Sequence, residues 1–211
     1  HLNYHGDYAR AAEVSRQGVD AARELGLERW IGAMLAGNTA EALIALGEWA
    51  EASRTMQRAL ALNPPRNHYL QLRMLTGWLA WCRGDDTTLA EVNGEMEPLF
   101  GDGSEQAQYE TAFLAPLVEE ALAVGSVERA WAFLSAELHR GVRQAPYPTW
   151  QLACLGRRVL ARRSGDVAGD VAWLDAWAES IPAARTTPLF RAWYRAEGTD
   201  DAGDWRAVVS A

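Results

Sequence analysis

The chain has 211 residues, about half of them apolar, enough to bury a sizeable core and too hydrophobic for a disordered tail. Its formal net charge of −8 repels a polyphosphate backbone, so no direct nucleic-acid contact is expected, and all 20 basic residues are arginine, which excludes the lysine of a P-loop. Two cysteines without metal-ligand spacing, and no apolar run of membrane length, exclude a cysteine zinc site and a spanning helix and fit a reducing cytoplasmic setting.

Alanine, leucine and arginine dominate while isoleucine occurs three times, so helices are expected throughout. At the start, His1 and His5 share an i, i+4 face. Two ligands do not make a metal site, and they are read as solvent-exposed side chains with no metal and no cofactor in this segment. A glycine followed by a polar or aromatic pair then recurs along the chain. It reads Gly6-Asp7-Tyr8, Gly47-Glu48-Trp49, Gly84-Asp85-Asp86, Gly125-Ser126-Val127, Gly165-Asp166-Val167 and Gly203-Asp204-Trp205, at spacings of 41, 37, 41, 40 and 38 residues. Repetition on this scale marks stacked units. Each glycine is flanked by helical periodicity, as in Ala33–Leu46 and Ala50–Leu62 around the second turn. Glycine suits the end of the first helix because it accepts the left-handed conformation, and the acidic residue after it suits the start of the second. In the third unit Thr88 and Glu91 are spaced as a capping box for a helix over Thr88–Leu99. Further on, Arg157, Arg158, Arg162 and Arg163 form the densest basic cluster, read as an exposed helix paired with nearby carboxylates. The acidic stretch Glu197–Asp204 is read as a solvated loop.

The second unit carries Gly47, Trp49, Ala52, Ala59 and Pro64 at the turn, aromatic, small, small and terminal-proline positions of the tetratricopeptide motif, which the chain resembles. Gly6, Tyr8 and Ala11 repeat part of it, as do Gly125 and Ala130. The resemblance implies an all-α, tetratricopeptide-like α-solenoid, a right-handed superhelix of helix-turn-helix repeats with a period of about 40. One repeat domain over 1–211 would hold units at 1–29 (partial), 30–66, 67–100, 105–145, 148–183 and 186–211 (partial). Ends that fall inside a repeat suggest an excerpt of a larger chain. In such a solenoid Cys82 and Cys154 lie on equivalent helices two units apart, too far for a disulfide.

The run Leu35-Ala36-Gly37-Asn38-Thr39-Ala40-Glu41-Ala42-Leu43, with 21–29 before it and 59–65 after it, resembles the helical-repeat region of large ATP-binding LuxR-type bacterial transcriptional regulators. That likeness is strong over 1–65 and fades afterwards. It implies a signal-sensing and protein-interaction segment that binds an inducer or a partner protein, with an ATP-binding module upstream and a DNA-binding module downstream in the intact protein. The alternatives are a generic adaptor that holds a partner peptide, or a segment of another ATPase-linked signalling protein.

In tetratricopeptide stacks the first helix of each pair lines the groove, which makes Asn38, Glu41, Gln71, Trp78, Trp81, Glu119 and Arg162 the expected contacts. Indoles beside amides and carboxylates stack on and hydrogen-bond a sugar-like or peptide-like ligand. The competing reading is that Trp78 and Trp81 fill a wide core. A carboxylate clamp at Asn38 would lack basic partners, because Gln71 and Leu75 take the corresponding places. No nucleophile elbow or H-E-x-x-H is present, and Glu119 and Glu120 point to different helix faces, so no enzyme activity is expected.

Overall fold

A computed structural model describes residues 2–3, 7–99, 107–139, 146–183, 186–199 and 201–210, with the backbone alone at 99, 107–113 and 146–148. The described residues are all-α, with no strand among them. The chain divides into two compact units, His1–Glu110 and Thr111–Ala211. His1, His5 and Gly6 lie outside the described residues.

The first unit holds α1 (Tyr8–Glu24), α2 (Ala33–Ala45), α3 (Trp49–Ala61), α4 (Arg66–Arg83) and α5 (Asp86–Met96). Asp7 opens α1 by accepting from the Arg10 N–H at 3.4 Å. A π-helical turn, Glu28–Gly32, runs straight into α2. At Gly47, with φ of 78°, α2 stops. There the Glu48 N–H reaches the Leu43 carbonyl at 2.9 Å and the Gly47 N–H reaches Ile44 at 3.0 Å, two bonds that occupy carbonyls the helix end leaves unpaired. The same pair of bonds closes α4 at Gly84–Asp85. It also closes α1 at Gly26–Leu27, a corner outside the periodic glycine series. Asn63 ends α3 in the left-handed region, an amide residue being the non-glycine type that tolerates it, and Pro64 and Pro65 stop further winding.

In this unit α2 packs on α1, α3 and α4, and α4 also packs on α3 and α5. Close approach depends on small side chains. Ala40 on α2 and Ala52 on α3 are fully buried. A Cβ added at Gly77 on α4 would lie 3.0 Å from Val92 Cγ1 on α5. Around these contacts Leu43, Met56, Leu72, Leu75 and Leu79 form one apolar cluster, each such side chain contributing about 1.5–3 kcal/mol by leaving water.

His68, near the start of α4, is buried with no hydrogen-bond partner for either ring nitrogen among the described residues. Burial holds its pKa below the ordinary histidine value. The folded protein therefore binds fewer protons here than the unfolded chain does, so this site's contribution to stability is complete above the unfolded pKa of about 6.5 and is lost as pH falls through the folded value. His68→Leu is expected to flatten the decline in urea midpoint between about pH 7 and pH 5. An unchanged slope would show that the ring titrates as it does in water.

The second unit contains most of α6 (Ala107–Ala123), then α7 (Val127–His139), α8 (Pro146–Arg162), α9 (Ala168–Glu179), α10 (Thr187–Thr199) and α11 (Ala202–Ser210). The corner after α6 repeats the earlier one, with Ser126 N–H to Ala121 at 2.7 Å and Gly125 N–H to Leu122 at 3.1 Å. α8 is central to the unit and packs on α7, α9 and α10. Gly156 makes room for that: a Cβ there would sit 2.9 Å from Leu174 Cδ2. Val118, Leu134, Leu152, Val159 and Leu174 are the buried middle of one cluster. Trp150, Cys154, Ile181 and Phe190 belong to a second.

Four local expectations are corrected. The cap of α5 is Asp85, which accepts from the Thr88 N–H at 3.1 Å and the Thr88 hydroxyl at 2.7 Å, so Thr88 lies inside the first turn and does not begin the helix. A carboxylate one turn earlier outcompetes the hydroxyl for the free N–H groups. α5 also ends at Met96, where a short 3₁₀ turn, Glu97–Leu99, takes over. Gly203 is not at a corner but lies within the first turn of α11, where its N–H meets Asp201 Oδ1 at 2.6 Å. Finally, Glu197–Thr199 belong to α10 and Ala202–Asp204 to α11, because Glu197 is buried in an ion pair and Asp201 caps the following helix.

Candidate functional site

The expected contact residues fall in two places. Asn38 and Glu41 lie three residues apart on one face of α2, and Gln71 approaches the same helix from α4 at Gly37. The Gln71 amide rests on the α2 backbone at Gly37, where a Cβ would stand only 2.8 Å from its Cδ. A larger residue there would make the Gln71 amide shift. Asn3 bonds the same face, its amide N–H groups reaching Glu41 Oε2 at 2.9 Å and the Asn38 carbonyl at 3.4 Å. Burial pushes the Glu41 carboxyl above the usual carboxylate range, and the bond from Asn3 opposes part of that rise. The side-chain amides of Asn38 and Gln71 make no hydrogen bond among the described residues, although both residues are half-buried.

Trp78 stands two turns along α4 from Gln71 and packs against the apolar cluster of this unit. Its ring meets Trp81 edge to face, with centroids 6.5 Å apart and planes at 75°. Both indoles are half-buried, so each combines a packing contact with an open edge. Burial pushes the half-buried Cys82 thiol up, which keeps it protonated and unreactive.

Glu119 and Arg162 belong to the second unit. Glu119 is drawn into an ion pair with Arg158, while Arg162 is exposed at the end of α8. The arginine cluster is not simply a solvated face. Arg158 is held between Glu119 on α6 and Glu197 on α10, with Nε 2.9 Å from Glu197 Oε2. Trp193 donates to Glu197 as well, at 2.7 Å. Arg163 joins Glu128 at 3.0 Å to Asp170 at 2.6 Å. Arg157 lies 5.7 Å from the Tyr194 ring centroid and 3.9 Å from Asp175. Burial raises the Glu119 carboxyl, the Arg158 charge lowers it, and the Glu197 charge raises it again.

No family model, curated protein or solved structure matches the chain.

The α2–α4 face therefore has to be judged on its own chemistry. It offers two free amides, a half-buried carboxyl and two indoles, which suit hydrogen bonding and stacking. Among the described residues no group of three or more His, Cys, Asp or Glu is placed to hold a metal, and no helix is long and apolar enough to cross a membrane. The sequence did not single out Asn3, which fastens the face, and named Arg158, which organises the second unit, only as one member of a basic cluster read as exposed. Asn3 lies outside any helical period, and Arg158 is indistinguishable by composition from the exposed Arg162 one turn on.

Proposed function

We propose that the chain is a tetratricopeptide-like recognition scaffold whose first helices present a binding face, and that in the intact protein it is the sensing segment of a LuxR-type transcriptional regulator. The observation that carries the recognition reading is the pair of unpartnered, half-buried amides of Asn38 and Gln71, on the first helices of successive pairs and flanked by Trp78. With no bond inside the chain among the described residues, their donors and acceptors are available to a ligand. The recurring glycine corners at Gly47, Gly84 and Gly125 support a repeat architecture in which such positions face the same way. The regulator assignment rests on the likeness of residues 1–65 to that family.

A generic adaptor is the second reading, favoured by the amides themselves: each offers a donor and an acceptor, the pairing an extended peptide backbone seeks. Two experiments separate these. The reading frame that encodes the intact protein is expected to carry a P-loop upstream and a helix-turn-helix downstream for the regulator, and neither for the adaptor. A thermal-shift panel of small sugars and metabolites, run beside a peptide array, identifies which class the face holds. Asn38→Ala combined with Gln71→Ala is expected to weaken the captured ligand by on the order of 30-fold, as expected for a central contact, with the unliganded melting midpoint unchanged. Full binding by that double variant would move recognition away from this face.

A further inference from the structure

The opposite side of α2 carries a different feature, a cleft of about 360 Å³ between α1 and α3. Gly32, Ala33 and Ala36 of the π-helical turn and α2 form its floor, with Ala59 of α3 and Leu62 just past its end beside them. The π-helical turn shapes this floor by placing Gly32 beneath and Glu28 at the rim.

The charges around it are unevenly matched. Arg16 spans the cleft from α1 to Glu51 on α3 at 3.2 Å. Arg23 serves two carboxylates, Asp20 at 3.0 Å and Glu28 at 3.0 Å. On the α3 wall, Thr55 and Arg58 sit three residues apart on one face, and neither side chain has a hydrogen bond or ion pair among the described residues. The only unassigned polar groups of that wall are thus a guanidinium and a hydroxyl over an apolar floor. The volume lies at the lower end of small-ligand sites.

We propose that this cleft binds a small monocarboxylate with a compact aliphatic tail. Its carboxylate is held by the Arg58 guanidinium and the Thr55 hydroxyl, and its tail lies on Ala33, Ala36 and Ala59. A guanidinium matches a carboxylate through parallel N–H donors. Asp20, Glu28 and Glu51 around the rim select against dianions, which they repel more strongly than a single charge. The floor has no aromatic ring to stack on, which favours an aliphatic tail. The site does not depend on the α2–α4 face and goes beyond the scaffold reading.

The test uses the full chain, with hexanoate as the probe and hexanamide and inorganic phosphate as comparisons, followed by saturation-transfer NMR and calorimetry. Hexanoate is expected to bind saturably, and hexanamide at least about tenfold more weakly, because it lacks the charge-assisted bond. Arg58→Gln, at an exposed position, is expected to reduce hexanoate affinity by at least about tenfold with unchanged circular dichroism, and Thr55→Val by a smaller factor. The Asn38→Ala, Gln71→Ala double variant is expected to bind hexanoate as the parent does, so failure of the cleft and failure of the α2–α4 face are told apart. Absence of saturable hexanoate binding overturns the proposal, as does equal binding of hexanamide, equal displacement by phosphate, or indifference to Arg58→Gln.

Discussion

Replacing Arg158 by methionine is expected to lower the unfolding free energy by about 3–5 kcal/mol, the cost of leaving a buried charge without its partner. The guanidinium lies between two carboxylates whose side chains are 10% and 6% exposed, Glu119 and Glu197. One positive charge serves two negative ones, so its removal strands both. Methionine fills much of the same volume, which leaves electrostatics as the main term. The defect has a signature in pH. A carboxyl whose folded pKa is raised keeps its proton more readily in the folded state than in the unfolded one, so it adds stability as pH falls toward the unfolded value of about 4.3. Glu119 is already raised by burial with Arg158 in place, and loses that opposing charge in the variant. The deficit should therefore be larger at pH 8 than at pH 5, read from urea midpoints at the two values. Adding Glu119→Gln and Glu197→Gln should return much of the loss, because a neutral set no longer carries stranded charge. A deficit below about 1 kcal/mol at both pH values would mean that the network behaves as an exposed ion pair.

That network also marks where the sequence stops being legible. Periodicity and turn chemistry are local, and they place α2 and α3 to within a residue: Ala33–Leu46 and Ala50–Leu62 are expected, Ala33–Ala45 and Trp49–Ala61 observed. Gly47, Gly84 and Gly125 occupy corresponding corners for the same reason, since a left-handed residue at a helix end is demanded by the backbone alone. Gly203 fails because Asp201 supplies the cap that starts α11, and nothing then requires a left-handed residue two positions later. Arg158 and Arg162 lie one turn apart on the same helix, yet one is half-buried and the other exposed. Only the position of Glu119 and Glu197 on other helices separates them, and that is tertiary information. The cleft beside Arg58 is silent in the sequence for a related reason: its walls belong to α1 and α3, which become neighbours only across α2. Asn38 and Glu41 are legible as neighbours because they lie three residues apart on one helix, whereas the approach of Gln71 to Gly37 is tertiary information again.

The tryptophans are divided in the same way. Trp78 and Trp81 stand out in the sequence, but Trp150, 1% exposed, is the largest fully buried side chain among the described residues. Its ring stacks near Phe190 at 6.4 Å and 11°, and meets Tyr194 edge to face at 6.4 Å and 75°. Phe190 in turn stacks on Trp193 at 5.9 Å, and the Trp193 N–H holds Glu197. Trp150→Ala is expected to cost about 3–5 kcal/mol, the sum of lost burial and an unfilled cavity. Trp150→Phe should cost only about 1–2 kcal/mol, since it keeps a ring against Phe190 and removes an indole N–H that has no partner. The aromatic column also predicts coupling to the ion network. If loss of the Trp150 ring lets Phe190 and Trp193 shift, Glu197 loses its indole donor and holds Arg158 less well. In a double-mutant cycle, Trp150→Ala and Arg158→Met together should then cost less than their sum by about 0.5–3 kcal/mol, measured by urea denaturation at pH 8. Strict additivity would show that the column and the ion network stabilise α8 against α10 independently, and would confine the effect of Trp150 to the apolar cluster around it.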